Sequence, residues 1–325
     1  MNQPPFDDRS PLRHSLGLLL LSFFGMLFVG QLLAVAPVMQ VLMLVYQRLT
    51  EVLPASFFET LLEEGVQGET FARLSAFFDG LLTENICLLA QLLGTLATIG
   101  LSVFWVVVLQ KSDLRSMGFT KKSAFPHYLL GLLLGTVLFA AAIGLNLLFG
   151  AMTLEGLAGS VRWGWIILFF VAFVVQGASE EILLRGALMG SLRRSQPTWL
   201  AVGLNALLFA MLHLGNSGVG TVALLNLLLF GIFASLYRLR TDNIWGICAL
   251  HTAWNFTQGN VWGALVSGIR VDAGLFVTTS LEGRERINGG AFGPEGGLAV
   301  TLVLLLAILL VGYLPRRKTA SKNPS

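Results

Sequence analysis

The sequence has few charged residues. Only 12% of its 325 residues are Asp, Glu, Lys or Arg, while 55% are hydrophobic. Soluble domains carry roughly 25% charged residues, so the polar surface is too small to cover an ordinary soluble domain. Cysteine is also scarce: Cys87 and Cys248 both fall inside apolar stretches, which excludes a disulfide framework and a cysteine-based metal site. A net charge of +3 is too small to indicate nucleic-acid binding.

Long apolar stretches are what the sequence has instead. About 20 apolar residues cross the hydrocarbon core as a helix, and a helix satisfies its own backbone hydrogen bonds there. Eight stretches fit this description, at residues 16–36, 86–109, 128–149, 163–184, 199–214, 219–236, 244–262 and 298–314. The sequence therefore predicts an all-α protein, a polytopic membrane helix bundle of about eight transmembrane helices.

Lysine and arginine predict the orientation of this bundle, because cytoplasmic segments carry an excess of both. Eight crossings from a cytoplasmic N-terminus put most of the 21 Lys and Arg, and both termini, in the cytoplasm. Arg9, Arg13 and the small residues at 34–36 also resemble a signal peptide. The apolar stretch is longer than a signal sequence and continues after Pro37, which favours an uncleaved first helix. We expect an integral protein of a bacterial cytoplasmic membrane.

We expect three regions along the chain. Residues 1–127 form an N-terminal membrane region with two helices and an acidic external segment, 47–85, whose apolar residues recur at helical spacing. Residues 128–265 form a helix bundle with polar residues inside it. Residues 266–325 hold a glycine-rich external loop at 267–297, a last transmembrane helix and a basic tail.

Two adjacent glutamates, Glu180 and Glu181, interrupt the fourth apolar stretch. A carboxylate at membrane depth costs several kcal/mol unless it is paired or used, so it indicates a functional site. Residues four apart share a helix face, so Glu181 can pair with Arg185, whereas Glu180 points about 100° away. This leaves Glu180 available for chemistry. The alternative is an ion pair that anchors the cytoplasmic end of the helix, with Arg185 reaching the interface.

Two further polar clusters follow. Phe209 and His213 lie one turn apart at the end of the fifth stretch, with Asn205 roughly on the same face; a hydrogen-bonded structural histidine is the alternative to a catalytic one. His251 and Asn255 are four apart in the seventh stretch and present two donors on one face. That pair suits an oxyanion hole, and a plain helix–helix hydrogen bond is the alternative.

The order Glu-Glu-x-x-x-Arg, Phe-x-x-x-His and His-x-x-x-Asn resembles the CAAX protease and bacteriocin-processing family (CPBP, Abi) of intramembrane proteases, over roughly residues 163–262. The resemblance implies a catalytic bundle at 128–265 and a CAAX prenyl endopeptidase-like enzyme of the glutamate type. Its substrate would be a membrane-anchored peptide or protein. In this sequence Glu180 would be the general base, and His213 would help to hold the attacking water.

The resemblance also implies roles for the remaining residues. His251 and Asn255 would stabilise the tetrahedral oxyanion, while Glu181, Arg185 and Phe209 would support the site. Because the glutamates are predicted near the cytoplasmic end of their helix, we expect the substrate to be presented from the cytoplasm. The expected partners are that substrate and the lipid bilayer, with no cofactor and no nucleic acid.

Zinc is the competing interpretation. Glu180, His213 and His251 match a two-histidine, one-carboxylate ligand set, and family members were long labelled metalloproteases. The sequence has no His-Glu-x-x-His helix, and Arg185 places a cation beside the carboxylates, so we expect no metal. A proton-coupled transporter predicts repeat symmetry between halves, which the sequence does not show. A non-enzymatic scaffold that binds a partner helix is disfavoured because Glu180, His213, His251 and Asn255 are all present.

Overall fold

A computed structural model describes residues 15–52, 55–65, 68–69 and 84–313. The α-helices are α1 (Leu16–Val52), α2 (Ala55–Glu64), α3 (Glu84–Gly94), α4 (Leu96–Phe104), α5 (Ala124–Leu148), α6 (Trp163–Glu181), α7 (Met189–Ser195), α8 (Thr198–Leu212), α9 (Thr221–Thr241), α10 (Trp245–Phe256), α11 (Glu285–Asn288) and α12 (Leu298–Tyr313). Wider π turns occupy Trp105–Leu109, Ile182–Leu188 and Thr257–Val261, and 3-10 turns occupy Gly290–Phe292 and Pro294–Gly296. The strands are β1 (Met152–Leu157) and β2 (Phe276–Ser280).

Each of the eight predicted stretches contains helix over most of its described length. In the part of the chain that the structure describes, five helical segments are long and apolar enough to cross a membrane, namely Leu16–Leu33, Asn85–Leu109, Ala124–Leu148, Trp163–Ser195 and Thr221–Thr241. The shorter α8 and α12 are also apolar, and α10 continues directly into a π turn. The prediction of a polytopic helical membrane bundle is therefore confirmed, while its orientation and the three-region division stay predictions.

The fourth predicted stretch differs from the structure in its length. It was expected to end at residue 184, but the helical segment continues through the π turn to Ser195. Glu180 and Glu181 therefore lie near the middle of a segment of 33 residues, and the prediction that they lie at its cytoplasmic end is wrong. The physical reason is Arg185, which is fully buried and does not mark the membrane interface.

The all-α prediction omitted a small sheet. β1 and β2 pair antiparallel, with Met152 opposite Ser280 and a bulge between Leu154 and Gly156. The glycine-rich loop at 267–297 thus contains a strand, a short helix and two 3-10 turns. β1 alternates apolar and polar residues from Met152 to Glu155, which is the pattern that predicts a strand, whereas β2 does not alternate.

Two predicted segments are only partly described. Within the acidic segment 47–85, α2 confirms helical structure at Ala55–Glu64, while residues 70–83 lie outside the described residues. The basic tail also lies outside them, from residue 314 onward.

α5 and α10 pack closely because α5 presents glycines to α10. A Cβ added to Gly131 would meet the carbonyl oxygen of Gly246, and one added to Gly135 would meet that of Leu250. Small residues allow such close approach between membrane helices. α10 is buried at every residue from Gly246 to Asn255, which places its polar residues at the centre of the bundle.

The outer faces of the bundle are apolar. α5 and α12 expose large hydrophobic side chains, among them Leu133, Val137, Leu305, Leu306 and Leu309. A contiguous apolar surface of this kind suits contact with lipid rather than water.

Candidate active site

A cavity of about 220 Å³ lies between the helices of the second half of the chain and the N-terminal helices α1 and α3. Its walls include Glu180, Phe209, His213, His251 and Asn255. These residues come from α6, α8 and α10, so the fold brings together at one cavity the three motifs recognised in the sequence.

Glu181 and Arg185 form a buried ion pair behind the cavity wall. Arg185 Nη1 donates to Glu181 Oε1 over 2.9 Å, and both side chains are 0% exposed. The pairing predicted from their spacing is confirmed, and the alternative of an interfacial arginine is wrong because Arg185 is fully buried. The Arg185 guanidinium also lies over the Phe209 ring, 4.6 Å from its centroid, a cation–π contact that burial strengthens.

Glu181 also holds His251. The His251 Nδ1 lies 2.8 Å from Glu181 Oε1, the same oxygen that accepts from Arg185. Since a carboxylate only accepts, Nδ1 carries the proton of this bond. The opposite ring nitrogen, Nε2, lies 3.8 Å from Glu180 Oε2. Glu181 therefore fixes the ring so that Nε2 faces the second glutamate.

Only one of the two carboxylate oxygens of Glu180 accepts a hydrogen bond from a described residue. Gln176 Nε2 donates to Glu180 Oε1 over 2.6 Å, and Asn255 Nδ2 donates to Gln176 Oε1 over 2.9 Å. Glu180 Oε2 is buried and has no hydrogen-bond partner among the residues that the structure describes. Buried polar atoms are nearly always hydrogen-bonded, so a carboxylate oxygen without a hydrogen bond beside a cavity indicates the atom that meets water or a ligand.

Sequence reasoning missed Gln176, which joins Glu180 to Asn255. A signal was present, because Gln176 lies four residues before Glu180 in an otherwise apolar stretch and therefore shares its helix face. Its partner on α10 is 79 positions away, and a helical spacing argument does not reach that far.

His213 lies at the C-terminal end of α8. Its Nδ1 donates to the carbonyl oxygen of Phe209 over 2.8 Å, and the two rings are 4.8 Å apart between centroids. Phe209 also stacks on Phe230 at 5.4 Å, and the Phe230 ring lies edge-on to His251 at 5.1 Å. Aromatic rings thus fill the space between the two histidines. Phe230 is a second cavity residue that sequence reasoning missed.

π turns follow both glutamates and the α10 motif. The turn at Ile182–Leu188 begins directly after Glu181, and the turn at Thr257–Val261 begins two residues after Asn255. Such turns occur frequently at functional sites. Asn205 donates to the carbonyl oxygen of Leu184 over 2.5 Å, so it stabilises the first π turn and does not take the supporting position beside His213 that its spacing suggested.

Regions outside the three motifs complete the walls of the cavity. Gln31 of α1 and Gln91 of α3 line it, as do Ser267 and Glu295 of the glycine-rich loop. Glu295 Oε1 accepts from Trp254 Nε1 over 2.8 Å, and Oε2 accepts from the backbone and hydroxyl of Ser267 over 2.9 and 2.7 Å. Glu295 therefore fastens the glycine-rich loop to α10.

The zinc interpretation requires Glu180, His213 and His251 to converge on one ion. Within the described ranges, no group of three His, Cys, Asp or Glu side chains is placed to hold a metal ion. His251 Nδ1 already forms a hydrogen bond with Glu181, and Glu181 also accepts a hydrogen bond from Arg185. A metal-free mechanism stays a prediction.

Fold and site define a polytopic helical membrane protein whose buried carboxylate, histidine and amide groups face a cavity. Residues 162–257 match the family model described as Type II CAAX prenyl endopeptidase Rce1-like. The match spans α6 to α10 and confirms the resemblance for this segment. No curated protein and no solved structure matches the chain.

Proposed function

We propose that the protein is an intramembrane endopeptidase that hydrolyses a peptide bond in a membrane-anchored protein or peptide, with Glu180 as the general base. The family match supports a CAAX-type protease in general. One observation carries the catalytic assignment: Glu180 Oε2 is a buried carboxylate oxygen with no hydrogen-bond partner among the described residues, and Glu180 lines the cavity. We further propose that the protein resides in a bacterial cytoplasmic membrane.

In this mechanism Glu180 Oε2 takes a proton from a water molecule whose oxygen attacks the carbonyl carbon of the peptide bond. The same oxygen then gives the proton to the leaving amine as the carbon–nitrogen bond breaks. Gln176 occupies Oε1, so the proton arrives at Oε2. His213, from α8, helps to hold the water in the cavity that it lines.

His251 and Asn255 stabilise the oxyanion that forms during the attack. Asn255 Nδ2 carries two hydrogens and Gln176 accepts one, so one remains for the oxyanion. His251 donates from Nε2 when both ring nitrogens carry protons, and Glu181 holds the other one. A preorganised donor of this kind is worth about 3 kcal/mol of transition-state stabilisation.

Glu181, Arg185 and Phe209 support the reacting groups of the site. Glu181 accepts from both His251 and Arg185, so a single carboxylate sets the orientation of the histidine and compensates the buried guanidinium. The face of the Phe209 ring lies against that guanidinium. This assignment extends the function of Glu181 beyond the pairing predicted from the sequence.

The test is substitution of Glu180 by Gln, which keeps size and removes the base. Membrane proteomics of cells with wild type and Glu180→Gln should show peptides that disappear only with the wild type, at equal accumulation of both proteins. Glu282→Gln at the exposed surface is the matched control and should cleave normally. Normal cleavage by Glu180→Gln would contradict the proposal.

The metal-free form needs its own measurement. We expect the purified protease to keep its activity in the presence of a chelator and to contain no stoichiometric metal. Loss of activity that returns when Zn²⁺ is added would instead support the zinc-dependent form, with Glu180, His213 and His251 as ligands.

A further inference from the structure

The two ends of the helix bundle carry different charge. One end, named here the basic end, is formed by the connections at 110–123 and 241–244 together with the last turns of α7 and α9. Its basic residues are Lys111, Arg115, Lys121, Lys122, Arg193, Arg194, Arg238 and Arg240, with Asp113 and Asp242 as its acids. The connections meet in space, since Ile244 N donates to the carbonyl oxygen of Gly118 over 3.0 Å.

The opposite end, named here the strand end, consists of β1, β2 and the connections at 213–220 and 262–297. Its described charges are mixed: Glu155, Asp272, Glu282, Glu285 and Glu295 stand with Arg162, Arg270, Arg284 and Arg286. The two connections are joined, because Asn216 Nδ2 donates to the carbonyl oxygen of Ser267 over 3.0 Å. An excess of Lys and Arg marks the cytoplasmic side of a membrane protein, so the basic end faces the cytoplasm and the strand end faces away from it.

The cavity belongs to the strand end. Its wall includes the loop residues Asn216, Ser267, Ile269, Val271 and Glu295. Among its described lining residues none comes from the connections of the basic end. The helices agree with this placement, because α8 contributes only its last turn, and α12 contributes residues of its first two turns.

We propose that the cavity opens toward the non-cytoplasmic side and takes its substrate from there: a membrane-anchored polypeptide whose scissile segment lies outside the cytoplasm. The substrate assignment rests on the proposed function, whereas the direction of opening does not. The sequence predicted presentation from the cytoplasm, and the continuation of α6 through the buried Arg185 to Ser195 removes the reason for that expectation. Gln31, Gln91 and Thr95 lie on the wall of the cavity. Their side chains can form hydrogen bonds with a peptide backbone, whereas they cannot do so with an acyl chain.

Cysteine labelling in cells tests the orientation. In a cysteine-free background, Cys87→Ser with Cys248→Ala, single reporters are introduced as Ser217→Cys at the strand end and Ser195→Cys at the basic end. Both serines are exposed and undergo the same chemical change, so they are matched. A membrane-impermeant maleimide should label Ser217→Cys in intact bacterial cells, and Ser195→Cys only after the cells are permeabilised. The reverse pattern would overturn the proposal.

Reporters inside the cavity test the direction of opening. Gln91→Cys and Thr95→Cys, both on the cavity wall, should react with a small impermeant thiol reagent in intact cells. Two reporters are used so that the test still stands if one variant does not accumulate. Reaction only after permeabilisation, or none under either condition, would refute the opening. Labelling needs no catalysis, so the pattern should persist when Glu180→Gln is added. A failure here and a failure of the proposed hydrolysis are therefore separate results.

Discussion

α10 and α12 are both short helices of the bundle, but their composition and surroundings differ. α10 is buried along its length and carries His251, Thr252 and Asn255, each of which is hydrogen-bonded. α12 exposes leucines to the outside, and its Thr301 bonds to Asn226 on the inner side. The comparison teaches that the more polar of these two short helices is the one at the centre of the bundle. The central helix is distinguished by polar side chains that form hydrogen bonds with another helix.

The largest expected effect is on the central helix. His251→Ala removes a proposed oxyanion donor and leaves Glu181 with one partner fewer, so cleavage should fall by about 10³-fold. Leu306→Ala on the exposed face of α12 is the control and should leave the rate unchanged. Initial rates on a peptide identified by membrane proteomics measure both. Equal rates for the two variants would break the distinction between the helices.

The second effect concerns stability. Arg185→Met leaves Glu181 buried without its cation, which costs about 3–5 kcal/mol. The exposed pair Arg162 and Asp272, at 40% and 68% side-chain exposure, provides the contrast, since Asp272→Asn should cost no more than about 1 kcal/mol. Unfolding midpoints of the purified variants in detergent measure the difference. If Asp272→Asn is the more damaging change, the central position of the buried pair is wrong.

A third experiment tests the close packing of α5 on α10. Gly135→Ala places a methyl group against the carbonyl oxygen of Leu250, next to His251. Overpacking of this kind costs about 1–3 kcal/mol, and a displaced α10 should also lower the rate of cleavage. Gly144→Ala on the same helix meets no atom within 4 Å and should be neutral. Thermal stability and rate are measured together for both variants.

The smallest expected effect separates two residues of the cavity wall, Gln176, which positions Glu180, and Gln91. Gln176→Leu removes one hydrogen bond to Glu180 and should lower kcat on the order of tenfold, with KM unchanged. Gln91→Leu changes a wall residue and should raise KM with little effect on kcat. Steady-state kinetics on the same peptide distinguish the two. A shift in KM alone for Gln176→Leu would assign it to substrate binding instead.

Part of this arrangement follows directly from the sequence. The lengths of the apolar stretches predict the helices, and the spacing of Glu181 and Arg185 predicts their ion pair, because both depend on neighbours along one helix. Gln176 and Glu295 were missed because their partners, Asn255 and Trp254, lie on another helix or loop. The predicted position of Glu180 at the end of its helix was wrong because Arg185 was taken to mark the membrane interface. Whether an arginine is buried depends on the packing of the whole bundle.

The π turn at Ile182–Leu188 has a consequence for the length of the chain. Upstream of it, α6 carries the two glutamates, whereas Gly186 within the turn and Gly190 beyond it pack against the loop that carries Ser116 and Met117. A residue removed within this turn would rotate one half relative to the other by about 100°. Substitutions on the outer face of this helix are therefore tolerable, whereas a single insertion or deletion would misalign two surfaces at once.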